Sequence, residues 1–199
     1  MTLAERRQMC VEILLASADT SSVTLYYTLV MLAARPDLAR ILQAEIQDED
    51  GGRLEKMDAL LKESMRLKPV GPMILRTAEK DDEVAVDGRT MVIKAGSHLL
   101  LNVRDYHVDP DYFPDPHDIR LDRYKGAREA CFMAFGHGPK SCVGQHFAMV
   151  EMKAILTEVL RHLEFSTPQD LASMQTRWDI ANHPVDPATF FVRQKPADC

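Results

Sequence analysis

Apolar and polar residues follow three rhythms along this chain. From Ile13 to Ala34 nearly every residue is apolar or small, and the run stops at Arg35-Pro36. Proline cannot continue a helix, so this pattern predicts one long helix over about Leu3 to Ala34. The run is long enough to span a bilayer. Asp19 within it and Glu12 just before it would be costly in lipid, however, and a helix that is apolar on all sides serves equally well as a core helix. The reading adopted is a helix buried in protein. Amphipathic spacing predicts a second helix over about Asp37 to Gln47, stopping in Asp48-Glu49-Asp50-Gly51-Gly52. A third covers about Leu54 to Lys68 and ends before Pro69.

The period then changes to two. Val70 to Thr77, Val84-Ala85-Val86 and Met91-Val92-Ile93 read as short strands, the last two joined across Asp87-Gly88-Arg89 as a hairpin. From Tyr106 to Lys125, Pro110, Pro114 and Pro116 stand among aspartates and aromatics. That stretch is too irregular for either period and too aromatic for disorder, so it is expected to be an ordered, packed meander. A Gly-rich segment, Phe135 to Gly144, opens a last helix from about Val143 to Leu163, followed by Glu164-Phe165 and a tail of short strands or loops. The fold class is α+β, mainly α, with a small sheet.

Composition narrows the partners. The chain has 199 residues, 46% of them apolar, which is enough for one sizeable core. Its net charge of −6, with no basic run or stripe, offers no electrostatic footprint for nucleic acid. Cys10, Cys131, Cys142 and Cys199 show no C-x-x-C spacing, so neither a zinc site nor a disulfide framework is expected, and a reducing compartment fits. The first residues, Met1-Thr2-Leu3-Ala4-Glu5-Arg6-Arg7, lack the apolar core and small-residue cleavage site of a signal peptide.

The strongest chemical signal is Phe135-Gly136-His137-Gly138-Pro139-Lys140-Ser141-Cys142-Val143-Gly144. It sets a cysteine at a helix mouth behind glycines that permit close backbone approach. The positive end of a helix favours thiolate over thiol, and thiolate is the form that ligates metal. A buried inert cysteine beside a glycine turn is the plain alternative. The spacing resembles the haem-binding signature of the cytochromes P450, F-x-x-G-x-[RK]-x-C-x-G, with Phe135, Gly138, Lys140, Cys142 and Gly144 in place. Lys140 stands where arginine is usual, so it supplies charge without the bidentate fork.

Other segments follow in that family's order. Glu63-Ser64-Met65-Arg66 places an E-x-x-R pair on one helix face. Alone, that pair is common on solvated helices. The resemblance implies that Glu63 and Arg66 lock to a meander arginine, here Arg123, in a structural role. Ala16-Ser17-Ala18-Asp19-Thr20 sets an acid and an alcohol among Ile13, Leu14, Leu15 and Val23, which argues that the pair is enclosed. It resembles the family's oxygen-activation motif, in which the acid and the Thr hydroxyl deliver protons to dioxygen at the haem; Ser17 replaces the usual Gly. Arg76 falls where such proteins place an arginine against a haem propionate, the plain alternative being an exposed strand arginine. His107 and His137 lack partners at metal-ligand spacing and are read as structural.

The resemblance covers essentially the whole chain and implies the C-terminal portion of a single P450 domain, residues 1–199, whose N-terminal half is absent. Within the family, Glu63-Ser64-Met65-Arg66 with Pro69-Val70, Arg76, Asp81-Asp82, Asp87-Gly88 and Ala148 to Leu156 resemble the steroid aromatase subfamily, as does Asp179-Ile180-Ala181-Asn182-His183-Pro184. Ala18 and Arg123 depart from that subfamily. The implied activity is a haem-dependent monooxygenation that aromatises an androgen to an estrogen. The implied cofactor is haem b with Cys142 as axial thiolate. Electrons would come from NADPH through NADPH-cytochrome reductase, and Ala16, Leu75 and Ala181 would line the pocket. The resemblance also implies the endoplasmic reticulum membrane, reached through an N-terminal anchor that this chain lacks. The alternatives are oxidation of another lipid or a xenobiotic, or a truncated fragment without activity.

Overall fold

The computed structural model describes residues 1–48, 53–125, 131–179 and 181–196. Five α-helices and eight short strands occur among them. Helix α1 spans Leu3–Ala34, α2 Pro36–Gln47, α3 Glu55–Leu67, α4 Val103–Tyr106 and α5 Gln145–His162. The acidic turn after α2 falls largely outside the described residues, as does Cys199.

Helix α1 begins with a capping box: the Glu5 amide donates to Thr2 Oγ1 and the Thr2 amide to the Glu5 carboxylate. Its burial is one-sided along its length. All its buried residues lie between Ser21 and Ala33, whereas Val11, Ile13, Leu14 and Leu15 are 54–70% exposed. The expectation of a buried helix therefore holds for the C-terminal half only. Helices α2, α3 and α5 and strand β5 pack against α1, and the exposed stretch gains no cover from the described residues. No helix of the described residues is long and apolar enough to cross a membrane.

The core joins these helices. Tyr27, Val30 and Met31 of α1 meet Leu42 of α2, Leu60 and Leu61 of α3, and Met152, Leu156 and Leu160 of α5, all essentially inaccessible to water. Each fully buried aliphatic side chain of this size contributes roughly 1.5–3 kcal/mol. Helix α3 has no cap of its own. Glu45 reaches over from α2 instead, accepting from the amides of Lys56 at 2.7 Å and Met57 at 3.0 Å.

The strands form four separate two-stranded antiparallel ladders among the described residues, rather than one small sheet. Strand β1 (Met73–Thr77) pairs with β4 (His98–Asn102), and β2 (Asp82–Val86) with β3 (Arg89–Ile93). Gly71-Pro72 delays β1 to Met73, since proline offers no N–H to a ladder. Strand β4 is an apolar run with no alternation to announce it. The β2–β3 turn is shorter than its sequence suggests, because Arg89 already pairs with Val86; only Asp87 (φ 49°) and Gly88 (φ 73°) carry the reversal. In the tail, β5 (Leu163–Ser166) pairs with β8 (Phe191–Gln194), and β6 (Thr176–Trp178) with β7 (Asn182–Pro184). Buried Asn182 pins this tail to the body: its carbonyl accepts from Tyr27 Oη at 2.7 Å and its Nδ2 donates to the Pro69 carbonyl at 3.2 Å.

Candidate functional site: a cysteine loop and the cavity it faces

The site stands on a buried ionic clamp. Glu63 and Arg66, one turn apart on α3, are fully inaccessible and bonded through both carboxylate oxygens, at 2.7 and 2.9 Å. Arg123 Nε donates to the same carboxylate at 3.1 Å, Tyr124 Oη at 2.8 Å and the Arg120 amide at 3.0 Å. Burial and the neighbouring carboxylate push the Tyr124 phenol well above its usual range, so it remains a donor. The remaining guanidinium protons go to backbone. Arg66 donates to the carbonyls of His107, Pro116 and Asp118, and Arg123 to those of Pro114, Asp115 and Asp118. A meander without regular structure thus has its buried carbonyls paired by two planar forks.

From the meander the chain enters the cysteine loop. Gly136 and Gly138 both have φ of +73°, a region a side chain would resist. The Gly136 amide donates to the Met133 carbonyl at 2.9 Å, and the Cys142 amide to the Phe135 carbonyl at 2.8 Å, closing a tight turn. A short 3-10 turn over Gly138–Lys140 follows, and Gly144 precedes α5. A Cβ on Gly144 would lie 3.9 Å from Cys142 Sγ, in ordinary contact. The Cys142 thiol is exposed and unbridged, just ahead of the positive end of α5.

Cys142 faces a cavity of about 440 Å³, within the range of cofactor sites. Its walls come from α1, β1, the cysteine loop and α5. Thr20 and Thr24 of α1 form one wall, Ile74, Leu75 and Arg76 of β1 another, Phe135, Lys140 and Cys142 of the loop a third, and Ala148 and Met152 of α5 the base. The lining is mainly apolar, with a thiol and two cationic side chains.

Asp19 sits beside this cavity rather than in it. It is not enclosed: its side chain is 37% exposed and meets His183 Nε2 of β7 at 3.2 Å. Of the apolar neighbours that argued for enclosure, Ile13, Leu14 and Leu15 face solvent, whereas Val23 is buried. Thr20 Oγ1 donates back to the Ala16 carbonyl at 2.7 Å, a bond that serine and threonine commonly make within helices.

Of the residues singled out in the sequence, Thr20, Leu75, Arg76, Phe135, Lys140 and Cys142 therefore share one cavity, and Glu63, Arg66 and Arg123 share one clamp. Gly138 and Gly144 shape the loop without lining the cavity, and Ala16 is exposed on α1 outside it. Ala181 is fully buried in the hydrophobic core, because Asn182 draws this segment in against Tyr27, and it lies outside this cavity. His183 is the site neighbour that sequence reasoning did not select; no spacing rule connects it to an acid 164 positions away.

Comparisons with known proteins bear on the family and the fold. The family model described as Cytochrome P450 matches residues 1–189. Aromatase 1 of Sus scrofa is 34% identical over 205 residues, covering 92% of this chain and 40% of that protein. Aromatase of Equus caballus is 33% identical over 224 residues, covering 100% of this chain and 44% of its own length. Aromatase of Homo sapiens is 34% identical over 205 residues, with 92% and 40% covered. A crystal structure of a cytochrome P450 superposes with a TM-score of 0.82 at 23% identity, covering 94% of this chain and 44% of that one. The chain spans less than half the length of the curated relatives it matches.

Proposed function

The chain belongs to the cytochrome P450 family, and from that premise we propose that it is the C-terminal, haem-ligating portion of a single monooxygenase domain in which Cys142 would supply the thiolate to the iron. The observation that carries this reading is the cavity in which the Cys142 thiol, the Arg76 guanidinium and the Lys140 ammonium share apolar walls. That donor set suits a flat apolar macrocycle with two carboxylates and one open metal position. Cys142 Sγ would hold the iron, Arg76 and Lys140 the propionates, and Phe135, Ala148 and Met152 the ring. Haem, when bound, supplies the activation of dioxygen, with electrons drawn from NADPH through a reductase partner.

The protein residues handle protons. Thr20 lines the cavity, and its hydroxyl can exchange its bond to the Ala16 carbonyl for one to a ligand. Asp19 Oδ2 shares a hydrogen bond with His183 Nε2, and both groups reach solvent. Protons enter through this pair and are held at Asp19 beside Thr20. Replacement by Asn or Ala would leave the fold and cut proton supply.

For the substrate, the proposal is a small apolar molecule, an androgen oxidised towards an estrogen. Support comes from the relatives named aromatase and from the mainly apolar lining of the cavity. A second reading is favoured by the exposed first half of α1, with Val11, Ile13, Leu14 and Leu15 bare: this chain by itself leaves the helix that bears Thr20 half uncovered and does not turn over substrate. One experiment separates the two. Purified chain is mixed with haem, reduced and exposed to carbon monoxide; the red-shifted Soret band of thiolate-ligated haem is expected, and Cys142→Ala abolishes it. A wild-type spectrum without that band favours the open fragment. A band that survives Cys142→Ala overturns the ligand assignment. Incubation with reductase, NADPH and an androgen then tests the substrate through the appearance of an estrogen.

A further inference from the structure

His107 lies fully buried just after α4, in contact with both the ionic clamp and the cysteine loop. Its backbone carbonyl accepts from Arg66 Nη1 at 3.0 Å. Its ring nitrogen Nε2 faces the backbone amide of Met133 at 3.0 Å. A backbone amide only donates, so Nε2 is the bare acceptor and the ring is the neutral Nδ1–H tautomer. Nδ1 has no partner among the described residues, so the Met133 bond is the only hydrogen bond there that the ring makes. Aromatic neighbours fix the ring's orientation. Phe132 stacks at 5.7 Å with a 4° tilt, and Phe113 meets it edge-on at 5.5 Å.

The route from Met133 to the thiol is short. The Met133 carbonyl accepts the Gly136 amide, and the Phe135 carbonyl accepts the Cys142 amide. Freeing the Met133 amide would therefore loosen the turn that presents Cys142 to the cavity. We propose that His107 is a positioning residue for the cysteine loop, holding it through the Met133 amide and coupling it, through the His107 carbonyl, to the Glu63–Arg66–Arg123 clamp. Burial, reinforced by the Arg66 cation, pushes the ring pKa down to about 4, which keeps Nε2 an acceptor at neutral pH. The proposal rests on Cys142 being the thiol that the cavity uses. Its readout is the order of the loop, which is measured without haem, so its failure is distinct from failure of the ligand assignment.

The test is hydrogen exchange followed by mass spectrometry on the purified chain, comparing wild type, His107→Phe and His107→Gln. Phenylalanine keeps the stacking and removes the acceptor; glutamine places an oxygen near the position of Nε2. In His107→Phe, exchange over residues 132–142 should rise about tenfold, the effect of roughly one lost hydrogen bond to a buried amide, while α3 keeps its protection. His107→Gln should restore most of it. The proposal fails if residues 132–142 exchange in the Phe variant as in wild type, or if α3 loosens by the same factor. Should the Phe variant unfold altogether, the Gln variant decides: wild-type protection over 132–142 supports the proposal, and lost protection there beside an intact α3 overturns it.

Discussion

Two acidic groups of this molecule each pair with a cation-forming partner, and their surroundings could hardly differ more. Glu63 is sealed at 0% exposure between Arg66 and Arg123, with every carboxylate bond accounted for by a neighbour from α3 or the meander. Asp19 shares one bond with His183, and about a third of each side chain remains open to water. The sealed pair gives order to a segment with no regular structure of its own. The open pair does little for the fold, but it lies at the edge of the cavity that the thiol faces, where water reaches it.

Breaking the sealed pair should cost most. Glu63→Ala leaves two arginines buried against backbone carbonyls with no counter-charge, a loss of about 3–5 kcal/mol. Since a domain's whole stability is roughly 5–15 kcal/mol, the denaturant midpoint should collapse or the chain should fail to fold. Arg66→Lys keeps the charge but gives up the fork that reaches Glu63 and three carbonyls at once, and should lower the midpoint by a smaller amount. Near-native midpoints for Glu63→Ala would mean that the clamp is incidental to the fold.

The next effect is a pH dependence confined to the sealed side. His107 has a folded pKa near 4 against an ordinary value of 6.5, lowered first by burial and then by Arg66. Above 6.5 neither state of the chain binds this proton. As the pH falls from there, the unfolded chain takes the proton up and the native one does not, so stability declines until about pH 4, where both bind it. The full decline is on the order of 3 kcal/mol. It should appear as a difference between wild type and His107→Gln in chemical denaturation at pH 7 and pH 4.5. Parallel stability curves for the two would show that His107 does not titrate in this window.

The sealed region was also the more legible one. E-x-x-R at i, i+3 and an arginine in the Pro-rich meander could be picked out because helix spacing and motif order are properties of the chain itself. The cysteine loop was legible for the same reason: glycines at positions of positive φ and a cysteine before a helix are local features. What escaped depends on contacts between distant segments. His183 reaches Asp19 only because β7 is drawn in by Asn182, and that same docking buries Ala181, a residue singled out through the family resemblance, in the core. Strand β4 escaped because an apolar run carries no alternation to mark it. The first half of α1 misled for a different reason. Its apolar residues signal a covered surface, but periodicity does not say which segment covers it, and none of the described residues does.

A smaller effect lies where α3 enters the clamp. Its first amides depend on a carboxylate borrowed from α2, with Glu45 bonded to Lys56 and Met57. Glu45→Ala removes both bonds and the negative charge at a helix N-terminus, and should cost about 1 kcal/mol. A thermal shift larger than that of Arg66→Lys would place the anchor of α3 at its entrance rather than at the clamp.

The smallest change in stability should come from the open pair, and there the comparison is at its sharpest. Asp19→Asn keeps a hydrogen-bonding side chain of the same size next to His183 and gives up an ion pair that water already screens, so stability should move by less than about 1 kcal/mol. If protons are held at Asp19 on their way to Thr20, the same substitution should lower turnover of the haem-loaded protein by roughly 10²-fold, as loss of a positioned acid does. Turnover that is lost in Asp19→Asn, retained in Asp19→Glu and lowered in His183→Gln would identify the pair as the proton entry. Equal rates for wild type and Asp19→Asn, with unchanged stability, would reduce the pair to a surface contact and leave proton delivery to Thr20 and water.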